Sequence, residues 1–167
     1  LLGCPQPPSD TWTNRAVRHR STHLSSLKDR RTYLNLDRYK RAVLDLNRVL
    51  EMSERQGTAT LGLADYRDRE LSPLSSRDLI RASERPDLNP FYPYFKPRLL
   101  GLLKEEQPSI IGFSLNYLSQ ALCTFAMIGF LRETCHGLRL VLGGGLVTSW
   151  MKRPGWQNPF IGLVDHL

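Results

Sequence analysis

The spacing of apolar residues predicts one long amphipathic helix in the first half of the chain, over residues 37–55. Apolar side chains recur there every three or four positions, which places them on one helix face. They are Tyr39, Ala42, Val43, Leu46, Val49 and Leu50. We expect Gly57 to end this helix. Residues 1–36 mix prolines, Ser, Thr and Arg without a sustained period, so we expect an irregular segment with short helical turns near 14–19.

Shorter elements are predicted between residues 58 and 106. Residues 58–66, TATLGLADY, predict a strand. Ser75 and Asp78 have the spacing of a helix capping pattern, and a short helix to about residue 84 is expected to follow. Residues 85–97 are rich in proline and aromatic residues, which predicts an ordered loop covering apolar surface. Pro97 suits the first turn of a helix that runs to about residue 106.

The last third of the chain has the pattern of a βαβ unit. Two continuous apolar runs, 109–115 and 138–142, flank a helical segment over 118–134. The crossover between them should be right-handed and the two strands parallel. Because both runs are apolar throughout, we expect a sheet covered on both faces. A short helix over 146–152 and a last strand over 160–165 should follow.

This order of elements predicts an α/β fold. We expect a three-layer α/β/α sandwich with a mostly parallel, Rossmann-like or flavodoxin-like sheet. Strand 58–66 should lie in the same sheet as 109–115 and 138–142. The α/β domain would cover 37–167, preceded by a basic irregular segment over 1–36. The chain begins abruptly and stops directly after a predicted strand, so we expect it to be a piece of a longer protein.

One segment has the length of a membrane span. Residues 110–131 carry no charge over 22 positions. Polar side chains interrupt this run near its middle, where the pattern changes; they are Ser114, Asn116, Ser119 and Gln120. A buried strand followed by a buried helix explains the run better than a span does. The first residues also lack the features of a signal peptide, and we expect no membrane partner.

The positive charge of the chain is concentrated near its beginning. The net charge is +7 over 167 residues. Residues 1–41 contain nine Lys or Arg and three Asp, which is +6, whereas the other 126 residues contribute +1. Such a segment can contact phosphates, pack on an acidic neighbouring domain or remain solvated. We favour the last two interpretations and expect no nucleic-acid partner.

Cysteine and histidine usage argues against a disulfide framework or a metal site. Cys4, Cys123 and Cys135 are scattered and form no C-x-x-C pair, which favours a reducing cytoplasm. His19 and His23 would share one helix face. No carboxylate or thiolate stands near them in sequence, so we expect no metal site there.

Polar or small residues follow each of the three predicted parallel strands, at the edge where ligands bind in open α/β sheets. They are Asp65 and Tyr66; Ser114, Asn116 and Tyr117; and Gly143, Gly144 and Gly145 with Thr148. Three successive glycines allow a tight turn, a close approach of a ligand to the backbone, or both. No standard dinucleotide fingerprint or P-loop is present. The alternative is that these residues are merely the polar loop ends that every α/β domain has.

A strand ending in Gly112-Phe113-Ser114, a helix, and a strand ending in Val141-Leu142-Gly143-Gly144 follow one another, with Thr148 shortly after. This stretch resembles the cobalamin (B12)-binding domain at the N-terminus of many radical SAM proteins. The final FIGLVDHL resembles the family's next strand. The likeness is good over 108–167, weak over 37–107 and absent over 1–36.

The resemblance implies that Ser114, Gly143 and Gly144 line a slot for the nucleotide tail of a corrinoid. Many cobalamin folds supply a cobalt-ligating histidine from Asp-x-His-x-x-Gly and have Ser-x-Leu at the second strand. Here the corresponding places read DYRDRELS, without histidine, and Ser114-x-Asn116. The resemblance therefore implies cobalamin without a protein imidazole ligand. S-adenosylmethionine and a 4Fe-4S cluster would belong to a radical SAM domain downstream, which would also be the partner of this domain.

No nucleophile, acid–base pair or metal-ligand set stands out, so we assign no catalytic residue to this chain. A second interpretation is a degenerate α/β interaction module that binds no cofactor. It would dock a partner through residues 1–36 and the aromatic residues of 91–95. A third is RNA binding by the basic segment, against which the scarcity of aromatic residues there, Trp12 and Tyr33, argues.

Overall fold

The computed structural model describes residues 11–53 and 59–167. The chain forms two compact units, Leu1–Arg67 and Asp68–Leu167. Among the helices of the described residues, none has both the length and the apolar character needed to cross a bilayer.

Two helices dominate the first unit. Helix α1 spans Thr11–Leu27 and helix α2 spans Leu36–Ser53, with a 3₁₀ turn at Arg30–Leu34 between them. The prediction for α2 is confirmed, and Gly57, its expected end, lies outside the described residues. The prediction of an irregular segment over 1–36 is wrong for residues 11–27. Helix α1 buries only Ala16 within its length, so it has almost no apolar stripe for sequence analysis to detect.

A buried ion pair joins α1 to α2. The carboxylate of Asp45 is 1% exposed and accepts hydrogen bonds from Arg15 Nη2 at 2.9 and 3.2 Å. The ring of His23 contacts the same carboxylate, with Nε2 3.1 Å from Oδ2. Burial alone would raise the pKa of Asp45, but the hydrogen bonds and charge of Arg15, together with His23, lower it below its usual value. These polar contacts, and not an apolar stripe, thus hold α1 against α2.

The prediction of one strand over 58–66 is wrong for the described residues, 59–66, which contain two short strand segments joined by a turn. Strand β1 spans Ala59–Leu61 and strand β2 spans Tyr66–Asp68; they pair in a two-stranded sheet of their own. Gly62 N–H donates to the carbonyl of Asp65 at 2.8 Å and closes the turn. Leu63 N–H donates to the side chain of Asn47 at 2.7 Å. The N–H groups of Gly62 and Leu63 are therefore bonded within the turn and to Asn47, and are not available for pairing in a longer strand.

The second unit begins with three helical segments. Ser75 caps helix α3, Ser76–Glu84, by accepting a hydrogen bond from Asp78 N–H, as predicted. A 3₁₀ turn at Pro86–Leu88 precedes helix α4, which spans Tyr92–Glu106.

The start of α4 corrects the prediction of a loop over 85–97. The helix begins five residues before Pro97, which lies inside it. Tyr92 and Phe95 pack against Phe130, with ring centroids 6.0 and 6.2 Å away. This aromatic contact stabilises the first turns despite the hydrogen bond that a proline removes.

The predicted βαβ unit is confirmed. Strand β3 spans Ile110–Ser114, helix α5 spans Leu118–Thr134 and strand β4 spans Arg139–Gly143. The strands are parallel and in register from Ile110 opposite Arg139 to Ser114 opposite Gly143. Helix α6, Gly145–Met151, follows directly. The core consists mainly of the inner face of α5 and the buried side chains of β4, including Phe125, Ile128, Leu131, Leu140 and Leu142.

The sheet is less covered than the apolar runs predict. Ile110 is 47% exposed, and every residue of β3 is exposed or half-buried. Strand β3 pairs only with β4 among the described residues, so it forms an edge instead of a central strand. The observed architecture of this unit is mixed α/β with a two-stranded parallel sheet.

The predicted last strand, 160–165, does not form as a continuous strand. A single parallel bridge joins Val141 to His166. The carboxylate of Asp165 accepts hydrogen bonds from Leu140 N–H and Arg132 Nη2, both at 2.7 Å. These contacts lower the pKa of Asp165, with the backbone bond from Leu140 the larger cause. The Asp165 side chain therefore accepts the hydrogen bond from Leu140 N–H that a neighbouring strand would otherwise accept.

Candidate ligand-binding rim

Strands β3 and β4 end side by side. We call the residues at and just after their ends the rim: Ser114, Asn116, Gly143, Gly144 and Gly145. Ser114 is paired with Gly143 in the strand register. Leu115 N–H donates to the carbonyl of Gly143 at 2.7 Å. The predicted convergence of the second and third strand ends at one edge of the sheet is therefore confirmed.

The backbone conformation at residue 144 requires a glycine. Its φ is +107° and its ψ is 171°, a region that side chains other than glycine rarely adopt. A Cβ atom at this position would lie 2.6 Å from Leu115 N and would also overlap the carbonyl of Leu115. The residues that follow β3 and β4 therefore lie against each other at Leu115 and Gly144, with no room for a side chain on Gly144. The tight-turn interpretation accounts for this glycine without a ligand.

The two neighbouring glycines differ from Gly144. A Cβ at Gly143 would meet nothing within 4 Å, and one at Gly145 would meet only Asn116 Oδ1 at ordinary contact distance. Gly112, two residues before Ser114, is equally open. Neither Gly143 nor Gly112 has a positive φ. The packing of the protein thus does not explain why these positions lack a side chain, and they leave open space beside Ser114.

Asn116 holds the rim together. Its Oδ1 accepts a hydrogen bond from Gly145 N–H at 2.8 Å, and its Nδ2 donates to Ser114 Oγ at 3.2 Å. A leucine at this position could make neither bond. Ser114 is exposed and keeps its own hydroxyl hydrogen for a further acceptor. The spacing of Asn116 from Ser114 did not reveal this role, because Gly145 is 29 residues away in sequence.

Tyr117 and Thr148 flank the rim. Tyr117 precedes α5, is exposed, and its N–H donates to Gln120 Oε1 at 3.4 Å. The hydroxyl of Thr148 donates to the carbonyl of Gly144 at 3.0 Å, and Leu146 N–H donates to the carbonyl of Leu115 at 3.2 Å. Thr148 therefore stabilises the turn, whereas the Tyr117 side chain stands in solvent.

The other two predicted site residues do not belong to the sheet that forms the rim. Asp65 lies in the turn between β1 and β2, with its carboxylate 2.7 Å from Arg67 Nε. Tyr66 is a buried residue of β2. Their expected place at the rim depended on strand 58–66 joining β3 and β4. That prediction is wrong, because within the described ranges β1 and β2 pair with each other and not with β3 or β4.

The described residues contain no group of three or more histidine, cysteine or acidic side chains that could hold a metal ion. His23 does have a carboxylate neighbour, Asp45, which sequence spacing did not show because it lies 22 residues away. Arg15 already pairs with that carboxylate. Burial raises the pKa of the Cys123 thiol to about 11, so this cysteine is protonated at neutral pH and is no nucleophile.

No protein-family model matches the chain, and no curated protein or solved structure shows significant similarity to it.

Proposed function

We propose that residues 68–167 form a cobalamin-binding-like domain of the radical SAM type, and that the rim holds the nucleotide tail of a corrinoid. The observation that carries the proposal is the open space at Gly143 and Gly112 beside the exposed hydroxyl of Ser114. Two glycines whose side-chain space is empty, next to a free hydroxyl donor, suit a flat polar ligand lying against the backbone.

In this proposal the rim residues bind and orient the ligand. Ser114 donates its hydroxyl hydrogen to an acceptor of the tail, and Gly143 lets the tail approach β4. Asn116 keeps Ser114 and Gly145 at fixed positions through its two hydrogen bonds. A bound corrinoid would supply alkyl-transfer or radical chemistry at its cobalt. None of the rim residues is a histidine, so the corrinoid would be held without a protein imidazole.

The proposal extends to the wider architecture that the resemblance implies. It places further parallel strands beside the open edge of β3, to complete a three-layer sandwich. It places S-adenosylmethionine and the 4Fe-4S cluster in a downstream radical SAM domain, and the protein in the cytoplasm. The free thiols of Cys123 and Cys135 suit a reducing compartment.

The test is a titration of the full chain with hydroxocobalamin, followed by its visible spectrum and by equilibrium dialysis. Gly143→Leu fills the open space at the rim and should abolish binding. Gly101→Leu is the matched control, because Gly101 in α4 also has nothing within 4 Å of a Cβ and lies outside the rim. It should bind as the unaltered chain does.

Two results would contradict the proposal: no binding by the folded, unaltered chain, or equal binding by both leucine variants. Thermal unfolding of each variant establishes that loss of binding is not loss of folding. A spectrum of imidazole ligation would mean that a histidine reaches the cobalt, and would refute the placement of the corrinoid at the rim.

The interaction module is the second candidate, favoured by the surface of the first unit. The turn between α1 and α2 exposes Leu34 by 84%, with Leu36 and Tyr33 also exposed and with Arg30, Arg31 and Arg38 in the same stretch. Apolar and basic groups together suit an acidic protein surface. Of the aromatic residues proposed for docking, Tyr94 is exposed, whereas Phe95 is buried in the core. Absence of corrinoid binding by the folded chain would favour this candidate.

A further inference from the structure

The second unit contains a cavity away from the strand ends, and we infer that it binds a small aromatic carboxylate. The cavity has a volume of about 250 Å³ and lies where residues 73–79 meet α6 and the segment after it. Trp150, Trp156, Phe160 and Arg153 are among its lining residues. This inference is independent of corrinoid binding at the rim.

The lining favours a flat apolar group. Phe160 and Leu79 line the cavity and are both buried. Trp150 packs on Phe160 with ring centroids 5.9 Å apart, and Trp156 is half-buried. Leu74, another lining residue, is 77% exposed. The volume equals that of about eight water molecules in the liquid, which is enough for a two-ring aromatic group. Aromatic side chains bind such rings by stacked or edge-to-face contacts.

The charge of the lining favours an anion. Among the residues that the structure describes, no aspartate or glutamate lines the cavity, and Arg153 is the only charged lining residue. Within the described part of the chain, the guanidinium of Arg153 makes no ion pair and no side-chain hydrogen bond, and the indole N–H groups of Trp150 and Trp156 make none either. The cavity therefore combines aromatic walls with three unused donor groups, one of them on the exposed Arg153, and this combination suits a ligand with several acceptor oxygens. A carboxylate satisfies a guanidinium by charge-assisted bonds.

The positive charge of the guanidinium also decides between two kinds of aromatic ligand. A quaternary ammonium ligand, which aromatic residues also attract, would be repelled by Arg153. The combination of two indoles, a phenyl ring and one guanidinium therefore selects an aromatic anion over an aromatic cation.

The experiment is isothermal titration calorimetry of the full chain with 2-naphthoate, and with 2-naphthamide as a neutral ligand of nearly the same shape. We expect the naphthoate to bind at least tenfold more tightly than the amide. Arg153→Gln should weaken naphthoate binding about tenfold and leave amide binding unchanged, because only the charge-assisted bond is lost. Trp156→Leu should weaken both ligands by a similar factor, because the aromatic contact serves both.

Lys152→Gln is the matched control, since Lys152 is the exposed neighbour of Arg153, carries the same charge and does not line the cavity. It should bind both ligands as the unaltered chain does. Gly143→Leu at the rim should also leave naphthoate binding unchanged, which separates this site from the corrinoid site. Absence of naphthoate binding at millimolar concentration, or equal weakening by Lys152→Gln and Arg153→Gln, would overturn the inference. Thermal unfolding confirms that each variant is folded.

Discussion

Replacing Gly144 by alanine should destabilise the second unit strongly, whereas the same change at Gly143 should not. At Gly144 the added Cβ would lie 2.6 Å from Leu115 N, and the backbone φ of +107° is outside the range that alanine tolerates. At Gly143 the added Cβ meets nothing within 4 Å and φ is not positive. The two variants add the same methyl group to adjacent residues, so their difference measures the backbone strain and the overlap with Leu115 that are specific to Gly144.

The magnitude follows from two costs at Gly144. Holding a non-glycine residue in such a backbone region costs of order 1–3 kcal/mol. Moving the Leu115 backbone away from the methyl group costs a further 1–3 kcal/mol or so, as other overpacked sites do. We therefore expect Gly144→Ala to lower the free energy of unfolding by about 3 kcal/mol or more. An open surface position such as Gly143 should change it by no more than about 0.5 kcal/mol.

Urea unfolding of the unaltered chain and both variants, followed by far-UV circular dichroism, measures these free energies. A loss of about 3 kcal/mol is a large part of the 5–15 kcal/mol of a typical domain, so the shift in midpoint will be large. Equal and small effects of the two variants would refute the close contact between Gly144 and the backbone of Leu115. Gly144 would then be free of packing constraints, and the absence of its side chain would need a ligand to explain it.

Two further predictions concern ion pairs in the two units. Asp45→Asn should destabilise the first unit by about 2 kcal/mol, below the 3–5 kcal/mol of a fully buried pair because Arg15 is 37% exposed. The folded-state pKa of Asp45 lies below its usual value of 3.8; the carboxylate therefore contributes stability above that value, and this stability is lost as the pH falls through the folded pKa. Acid titration of helicity should show this loss in the unaltered chain and a smaller one in Asp45→Asn; identical profiles would contradict the ion pair. Arg132→Gln removes the hydrogen bonds of Arg132 to Leu163, Leu138 and Asp165. It should increase amide hydrogen exchange over residues 160–167 and at Leu140, and lower the free energy of unfolding by about 2 kcal/mol. Arg139→Gln is the control, because Arg139 is an exposed arginine that makes none of these three hydrogen bonds. Unchanged exchange in Arg132→Gln would show that residues 160–167 are held by other contacts.

Some elements of this protein could be predicted from the sequence because their signals are local. Ser75 and Asp78 are three residues apart, and the cap they form depends on nothing else. Helix α2 has its apolar stripe within one segment. The parallel pair of β3 and β4 was predictable because two apolar runs joined by a helix have few other ways to pair.

Other features depend on residues far apart in sequence, and only the tertiary structure decides them. Helix α1 is held by contacts of Arg15 and His23 with Asp45, which lies 30 and 22 residues away from them. Because these contacts are not local, the pattern of α1 itself did not predict the helix. Likewise, the last segment is fixed by Arg132 and Asp165, 33 residues apart.

The glycine turn shows both kinds of information at once. The sequence by itself determined that three successive positions after β4 lack a side chain, which allows a tight turn, a close approach to the backbone, or both. Which glycine is required, and why, depends on the position of Leu115, 29 residues before Gly144. The contact with Leu115 leaves no room for a side chain at residue 144, whereas the space beside Gly143 is open. This distinction is absent from the sequence because all three residues are identical there, and only their surroundings differ.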